Sequence, residues 1–336
     1  MTKRAVLIPL LIVAFALAVP DGATRAFAQK APSKDVVETA FPSKVGDRAQ
    51  YAVTLVKRGA AGNSDLTTDV TVEISRADEA GFLVTWTYGK FQMYPPGQEG
   101  NAEVLKLLDL TRSVSLVLQV DPRRTGVKLE NWEEIHERLG QALEGLQEQT
   151  KAGGAIEQKT GTFMTLIRTF YQNQDFMTSY YTKEPTLFFS YMGKRIPASQ
   201  PVVNNFTLPN PLGGDPFPAR GQISVKEYDT DHHRAVILST TTLDPLQMPG
   251  IMEKVTRDLV AKLAPGLEGQ IPKDMIKALS IDSKTEVAID LVSGWPESLA
   301  YETSTRIEMA MPQGRSEMKF RNEETIAMKR IPGKED

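Results

Sequence analysis

The sequence predicts an α+β protein built on a large, curved antiparallel β-sheet, half-barrel-like in shape, that packs against a few helices. Three observations favour this fold: long stretches that alternate apolar and polar residues, turn residues between them, and shorter regions with apolar residues at helical spacing. Alternation puts every second side chain on one face of a strand. One face of the sheet is therefore apolar, and helices are needed to cover it.

The first 28 residues have the composition of a secretory signal peptide. Lys3 and Arg4 precede the apolar run Ala5–Val19, and Ala26-Phe27-Ala28 fits the small-x-small pattern of a cleavage site. As a helix, this run would reach only about 22 Å, less than the roughly 30 Å of a bilayer core. We therefore expect residues 1–28 to be cleaved, no transmembrane anchor to remain, and the mature protein to be periplasmic or secreted.

Composition excludes several classes of partner and cofactor. Without residues 1–28 the chain keeps 36 basic and 41 acidic residues, a net charge of −5. Nucleic acids and anionic membranes favour basic surfaces, so we expect neither as a partner. The absence of cysteine excludes disulfides and the lipid-accepting cysteine of a bacterial lipoprotein. No phosphate-binding or dinucleotide-binding glycine motif occurs, and we predict no cofactor.

The mature chain is predicted to start with a disordered leader, residues 29–42, because this segment is polar and contains a proline. A β-rich domain follows over residues 43–334. It opens with a three-stranded meander and continues with two strands around a turn; the key stretches are Tyr51–Leu55, Val70–Ile74, Phe82–Tyr88 and the turn Asp121–Gly126.

An αα-hairpin is predicted next. Asn131 and Glu134 have the spacing of an N-cap and its reciprocal carboxylate. Apolar residues then recur at helical spacing on either side of Gly153-Gly154, namely Trp132, Ile135, Leu139, Leu143 and Leu146 before it and Phe163, Leu166, Ile167, Phe170 and Tyr171 after it.

The rest of the chain loosely repeats this order, which suggests two similar halves, 43–195 and 196–334, without any residue-level repeat. The predicted strands are Thr186–Met192, Val202–Thr207, Gln222–Tyr228, Arg234–Thr242 and three long stretches after residue 286. The predicted helices are one with the apolar face Ile251, Met252, Val255, Leu259 and Leu263, and a short one at Lys273–Leu279. Asn204–Arg220, with four prolines, is predicted to be a long irregular loop.

Aromatic and methionine residues concentrate between Phe163 and Met192, and such residues line adaptable apolar pockets. The candidate ligand-binding residues are Phe163, Ile167, Phe170, Tyr171, Phe188 and Tyr191. The alternative is that these side chains form the core between helices and sheet, which is the commoner role of such residues.

Catalytic chemistry has little support in the sequence. Asp229, Asp231 and His232 resemble metal ligands, but neighbouring strand residues point to opposite faces and a solvated turn explains them equally well. No nucleophile motif is present, since Ser316–Lys319 lies in a predicted strand rather than at a helix start. We predict no catalytic residues and no metal site.

Three passages resemble an uncharacterised family of exported bacterial β-rich domains. Val45–Tyr51 is similar to its GD-x-x-x-Y first strand, Val120–Asn131 to its strand–Asp–Gly–strand–Asn–helix passage, and Ser293–Ser298 to its G-W-P-x-S turn. The resemblance implies a secreted protein or lipoprotein of unknown function and transfers no catalytic residues. The coarse architecture is also similar to periplasmic lipoprotein carriers, whose half-open sheet wraps helices and holds acyl chains.

The leading hypothesis is a non-enzymatic periplasmic protein that binds an apolar ligand, such as a lipid, or a cell-envelope component. One alternative is a protein-interaction module that uses a sheet edge or the proline-rich loop Asn204–Arg220 to bind an envelope protein. A second is a metal-assisted hydrolase at Asp229, Asp231 and His232.

Overall fold

The computed structural model of the protein describes residues 36–42, 44–59, 63–78, 81–93, 112, 114–121, 127–151, 174–208, 216–244, 248, 250–251, 253–254, 276–309 and 318–333. The strands are β1 (Val36–Glu38), β2 (Arg48–Arg58), β3 (Ser64–Asp78), β4 (Gly81–Tyr88), β5 (Gln92–Met93), β6 (Leu116–Val120), β7 (Val127–Leu129), β8 (Arg195–Pro197), β9 (Val202–Leu208), β10 (Phe217–Asp229), β11 (Arg234–Leu243), β12 (Ile276–Asp290), β13 (Pro296–Met309) and β14 (Met318–Ile331). The helices are α1 (Trp132–Lys151) and α2 (Gln174–Phe189).

Twelve strands form one antiparallel sheet in the order β7-β6-β4-β3-β2-β14-β13-β12-β11-β10-β9, with β5 paired to β3. Most neighbours in space are neighbours in sequence, so the sheet consists of two meanders. The meanders join where β2 pairs with β14 through Gln50↔Ile331 to Arg58↔Glu323. Within the described residues the sheet is open, with β7 and β9 at its edges, while β1 and β8 form a separate pair.

One face of the sheet, here called the inner face, carries the core. On β3, Val70, Val72 and Ile74 are fully buried, whereas the residues between them are partly or fully exposed. The same alternation places Trp86 of β4 and Tyr301 of β13 on the inner face. The alternation predicted from sequence is confirmed, because each buried side chain lies two residues from the next.

The sheet bends around helix α2. Every residue from 181 to 189 is buried. Glu184 of the helix contacts Tyr88 of β4, and Lys183 lies over the ring of Tyr301 of β13. These two strands are four steps apart in the sheet, about 19 Å if it were flat, and a helix is only about 10 Å across. Contact with both strands therefore requires a curved sheet.

The architecture corrects the predicted fold class. The large antiparallel sheet is confirmed, but the described protein is β-rich rather than α+β, with two helices of defined bounds against fourteen strands. Helix α1 begins where predicted, at Trp132. The Asn131 side chain bonds strand β6 and the residue before it instead of a helix amide: Oδ1 accepts from the Val117 amide and Nδ2 donates to the Ser115 carbonyl, both at 2.9 Å. The predicted pair with Glu134 forms between the two side chains, where Nδ2 also donates to the Glu134 carboxylate at 3.1 Å. No helix within the described residues is long and apolar enough to cross a membrane.

The predicted leader extends too far. Residues 1–35 lie outside the described part of the chain, but residues 36–42 belong to the fold. Val37 is fully buried in strand β1, which pairs with β8. The Thr39 hydroxyl donates to the Tyr191 carbonyl at 2.7 Å, and Phe41 stacks on Phe82 at 4.3 Å. The polar composition of residues 29–42 gave no sign that the pairing of β1 with β8 and the ring of Phe41 hold residues 36–42 in the fold.

Two local predictions were wrong. Thr186–Met192 was predicted as a strand, but helix α2 continues to Phe189 and a turn follows. Adjacent buried residues such as Phe188 and Phe189 carry no helical period, because the helix is buried on all sides. The predicted helix Lys273–Leu279 is strand from Ile276 onward, where β12 pairs with β13.

The predicted loop Asn204–Arg220 contains paired strand residues. Residues 205–208 and 217–220 pair with each other in β9 and β10, from Asn205↔Arg220 to Leu208↔Phe217. The two predicted halves share one sheet, and their boundary falls inside strand β8. Whether they arose by duplication stays a prediction.

Candidate functional site on the inner face

A first apolar cluster surrounds helix α2. Phe188 is fully buried and meets Tyr51 edge-on at 4.9 Å and Trp86 edge-on at 5.3 Å. Phe189 packs against Phe188 at 5.0 Å between ring centres. Edge-to-face pairs at these distances are the preferred arrangement of aromatic rings. This part of the inner face is filled by protein side chains.

The predicted ligand-binding residues fall in two groups. Phe188 and Tyr191 belong to the first apolar cluster, at 0% and 4% exposure. Hydrogen bonds join Tyr191 to Thr285 and Ser239, but burial outweighs them and raises the pKa of Tyr191. The other four residues, Phe163, Ile167, Phe170 and Tyr171, lie outside the described residues. A ligand role for the six stays a prediction.

Helix α2 carries two adjacent buried charges, and each has a partner. Glu184 accepts from the Arg112 guanidinium at 3.1 Å and from the Tyr88 hydroxyl at 3.4 Å. Arg112 also lies over the rings of Tyr88 and Tyr180, at 4.7 and 5.0 Å. Burial alone would raise the pKa of Tyr180, but the charges of Arg112 and Lys57 and a hydrogen bond with Arg112 together outweigh it, and the pKa is lowered. An uncompensated buried charge would be strongly destabilising, so these contacts fix the helix in one position.

The second charge forms a triad with two strands. Lys183 contacts Glu324 of β14, which also binds the ammonium of Lys57 from β2 at 3.3 Å. Burial would raise the pKa of Glu324, yet the two lysines lower it to about 2. The triad therefore holds two cations and one anion, a net charge of +1.

The triad lies in a row of polar side chains across five strands. The pairs Thr241↔Ser283, Ser283↔Thr303, Thr303↔Glu324 and Glu324↔Lys57 are directly opposite one another on β11, β12, β13, β14 and β2. Directly opposed residues share a face of the sheet. With their polar neighbours on the same face they form what we call the polar belt: Lys57, Ser239, Thr241, Ser283, Thr285, Thr303, Thr305, Asn322 and Glu324.

A second apolar cluster lies beyond the belt. It comprises Leu208, Phe217, Ala219, Leu243, Met248, Leu279, Ile281 and Ile307, with Phe206, Ile251 and Phe320 partly buried against it. None of these residues belongs to helix α1 or α2, in contrast to the first cluster. Its side chains come from β9 to β14 and from Met248 and Ile251, which are helical. The inner face thus has two apolar regions with a polar belt between them.

Buried polar groups without partners occur in both regions of the inner face. Within the described residues, buried side-chain atoms that make no hydrogen bond include Trp86 Nε1 and Arg112 Nε beside the first cluster, and the Tyr301 hydroxyl and the Asn322 amide nitrogen at the belt. Burial raises the pKa of Tyr301, and the nearby charge of Glu324 raises it further. Buried polar groups are usually satisfied, so donors left free beside a charged triad are unusual.

The proposed metal ligands form a turn instead. Asp229 Oδ1 accepts from the amides of Asp231 and His232 at 3.0 Å, and Oδ2 lies 2.7 Å from His232 Nδ1. His233 adopts a positive φ of 51° in the same turn. Across the described part of the chain, no three His, Asp or Glu side chains are grouped to hold a metal ion.

The polar belt was not predicted from the sequence. Lys183-Glu184 interrupts an otherwise aromatic segment, and Thr303 and Thr305 interrupt the apolar face of β13 between Tyr301 and Ile307. These interruptions of the apolar pattern are the feature of the sequence that could have predicted the belt. The register that aligns them with Lys57 and Glu324 depends on the pairing of strands from opposite ends of the chain, which a single sequence does not reveal.

No family model and no curated protein matches the chain. Among solved structures the chain is similar to lipovitellin, in a structure described as lipid–protein interactions in lipovitellin, with 10% sequence identity and a TM-score of 0.35. The match covers 87% of this chain and 26% of the lipovitellin chain.

Proposed function

We propose that this is a non-enzymatic protein of the periplasm that binds an apolar ligand on the inner face of its sheet, over the second apolar cluster. The observation that carries the proposal is the difference between the two clusters. Aromatic side chains of helix α2 fill the first cluster. The second consists of strand side chains together with Met248 and Ile251 from a short helical stretch, contains no residue of α1 or α2, and borders a polar belt. Ligand sites are commonly apolar surfaces with a few polar groups nearby.

The periplasmic location is supported by the sequence of residues 1–28 alone. Expression of the full chain in a bacterial host, followed by fractionation and N-terminal sequencing, tests it. The proposal expects a periplasmic product that begins at Gln29. A product that keeps residues 1–28 and stays in the cytoplasm would contradict it.

Native mass spectrometry of the exported protein tests ligand binding directly. We expect co-purifying lipid and, after its removal, uptake of an apolar naphthylamine dye. A protein that carries no lipid and takes up no dye would end the proposal.

A pair of matched variants locates the site. Ala219, in the second cluster, and Ala49, in the first, are both buried on inner-face strands, at 3% and 5% exposure. Replacing either with Phe overfills its surroundings at a cost of about 1–3 kcal/mol. Only Ala219→Phe is expected to reduce dye uptake. Equal loss in both variants would show that the second cluster is not the site.

A second candidate function is binding of an envelope protein along strand β9. This strand is a sheet edge of seven residues with no charged residue, and Val203 is 43% exposed. Natural edge strands are usually protected by charges or bulges, so an unprotected edge suits strand addition. Val203→Lys is expected to abolish capture of a partner, whereas Val292→Lys, at a 72% exposed valine, is the matched control.

A further inference from the structure

Within the described residues, strand β9 is the longer of the two edges of the twelve-stranded sheet. It has seven residues, none of them charged, whereas β7 at the other edge has three residues and carries Lys128. Natural edge strands are usually protected by charges, by bulges or by being short. Pro201 and Pro209 border β9 in the sequence, and proline has no amide to donate to a neighbouring strand. The edge therefore offers an unprotected stretch of defined length.

The pairing of β10 shows which backbone groups of β9 point outward. The Pro218 carbonyl accepts from the Asp244 amide at 2.9 Å, so Pro218 directs its backbone carbonyl toward β11 and away from β9. Hydrogen-bonded and non-hydrogen-bonded pairs alternate along an antiparallel ladder. Thr207 lies opposite Pro218, and Thr207, Asn205 and Val203 therefore point their amides and carbonyls away from β10. No described residue bonds these outward groups.

The side chains of β9 leave this edge open. Val203, Asn205 and Thr207 are exposed on the outer face of the strand. On the inner face, Gly221 of β10 has no side chain, and a Cβ there would be only 2.7 Å from Phe206 Cε1. The Phe206 ring thus lies across β10 and away from the edge. Another strand can approach β9 without displacing this ring.

A second copy of β9 fits the edge in one register. Two strands exchange hydrogen bonds where outward-pointing residues face each other, and antiparallel pairing centred on Asn205 achieves this over all seven residues. Asn205 then lies opposite Asn205 of the second copy, and Val203 lies opposite Thr207. Both residues of the latter pair are β-branched and suit a sheet, and no like charges meet because β9 carries none. The strand is therefore complementary to itself.

Strand β7 of a second copy is a poorer partner for β9. The Glu130 amide donates to the Val117 carbonyl at 2.8 Å, so the alternation leaves only Val127 and Leu129 pointing outward on β7. That edge offers two pairs where β9 offers three. A contact between β9 and β7 would also fail to close on itself, since each copy would keep a free edge for the next.

We infer that two copies of the protein form a symmetric dimer in which β9 pairs antiparallel with β9, with Asn205 on the two-fold axis, so that the two sheets become one. Its three outward-pointing pairs exchange about six hydrogen bonds, two for each pair. A contact of one strand with another is small beside the interface of a permanent dimer, so the dimer is in reversible equilibrium with the monomer. The inference is independent of the proposed ligand binding, and it assigns the β9 edge to a second copy rather than to an envelope protein.

Sedimentation velocity of the mature protein over a wide concentration range measures this equilibrium. Asn205→Pro removes an outward amide from each copy but keeps the pairing of β9 with β10, because the Asn205 amide points away from β10. Loss of two hydrogen bonds should weaken dimerisation about tenfold or more. The matched control is Val127→Pro, which removes an outward amide from the β7 edge and should leave dimerisation unchanged.

Cross-linking with single cysteines tests the register, since the chain has no cysteine of its own. Asn205→Cys should form a disulfide between copies on mild oxidation, because directly opposed Cα atoms in a hydrogen-bonded pair are about 5.5 Å apart, within the range that a disulfide spans. Val203→Cys alone should form little, since its counterpart in the dimer is Thr207. A mixture of Val203→Cys and Thr207→Cys should cross-link.

A concentration-dependent dimer that Asn205→Pro weakens, together with selective cross-linking of Asn205→Cys, would support the inference. A monomer at every concentration would overturn it, as would a dimer that Asn205→Pro leaves unchanged. Equal cross-linking of Asn205→Cys and Val203→Cys would overturn it as well, and this result does not depend on how well the proline variant folds. Capture of an envelope protein along β9 by a monomer would favour the second candidate function instead.

Discussion

The two apolar clusters lie on the same face of the same sheet, yet they differ in what fills them. In the first, Phe188, Tyr51 and Trp86 form a network of edge-on ring contacts around helix α2. In the second, side chains of strands β9 to β14 pack with Met248 and Ile251 from a short helical stretch, and neither α1 nor α2 contributes a residue. Both clusters are buried, so they differ in which elements cover them. In the function that we propose, the first cluster serves stability and the second serves binding.

The largest expected effect comes from truncating the centre of the first cluster. Phe188→Ala should lower the free energy of unfolding by about 3–5 kcal/mol, because it removes a fully buried ring and leaves a cavity. Urea denaturation measures this change. Dye uptake by the folded variant should equal that of the wild type. A changed affinity would instead make Phe188 part of the ligand site, as the sequence analysis predicted.

Glu324→Gln tests the boundary between the clusters. Loss of the carboxylate leaves Lys183 buried without its partner, which should cost about 3 kcal/mol. Adding Lys183→Met should recover most of that loss, because the buried charge is then removed as well. If the single variant is as stable as the wild type, the triad does not hold helix α2.

The same triad predicts a dependence on pH. The lysines hold the pKa of Glu324 at about 2, below its usual value of 4.5. A lowered pKa contributes stability that is complete above the usual value and is lost as the pH falls toward the folded-state value. The stability of the wild type should therefore decrease between pH 4.5 and 2, and the Glu324→Gln/Lys183→Met variant should show a shallower decrease. If the free energy of unfolding falls equally steeply with decreasing pH in the wild type and in the double variant, this prediction is wrong.

Gly294→Ala should lower the stability by a smaller amount, through changes near the first cluster. Gly294 has a φ of +76°, and a Cβ there would lie 2.8 Å from the backbone of Ala40. We expect a loss of about 1–2 kcal/mol from backbone strain and displacement of the segment around β1. Thermal unfolding measures it. Unchanged stability would mean that residues 36–42 contribute little to the fold.

The smallest expected effect is that of Asn131→Ala, which should cost about 1 kcal/mol. The variant removes the hydrogen bonds of the Asn131 side chain to the Val117 amide on strand β6, to the Ser115 carbonyl just before this strand and to the exposed Glu134 carboxylate. Asn131→Asp keeps the acceptor for the Val117 amide and should recover part of the loss. Identical stability of both variants would argue against this bond.

Most strands were predictable from the sequence, and the buried helix was not. Strands such as β3 bury one face only, so their residues alternate and the period is visible. Helix α2 is buried on all sides from residue 181 to 189, so it shows neither a strand period nor a helical one. The end of α2 was therefore predicted to be a strand.

The candidate site was less predictable, for a topological reason. The polar belt joins Lys57 of β2 to Glu324 of β14, residues from opposite ends of the chain. The sequence shows that both residues are charged, but not that they lie directly opposite each other in the sheet. The concentration of aromatic residues pointed to the inner face, and the two of the six candidate residues that the structure describes, Phe188 and Tyr191, lie in the first cluster.

Hydrogen–deuterium exchange with and without the naphthylamine dye tests the comparison most directly. If the second cluster binds the ligand, protection should increase around residues 217–219, 241–243, 279–283 and 303–307 and stay constant across 181–192. Increased protection confined to residues 181–192 would show that the ligand enters the first cluster, and the division of the inner face into a structural and a binding region would be wrong.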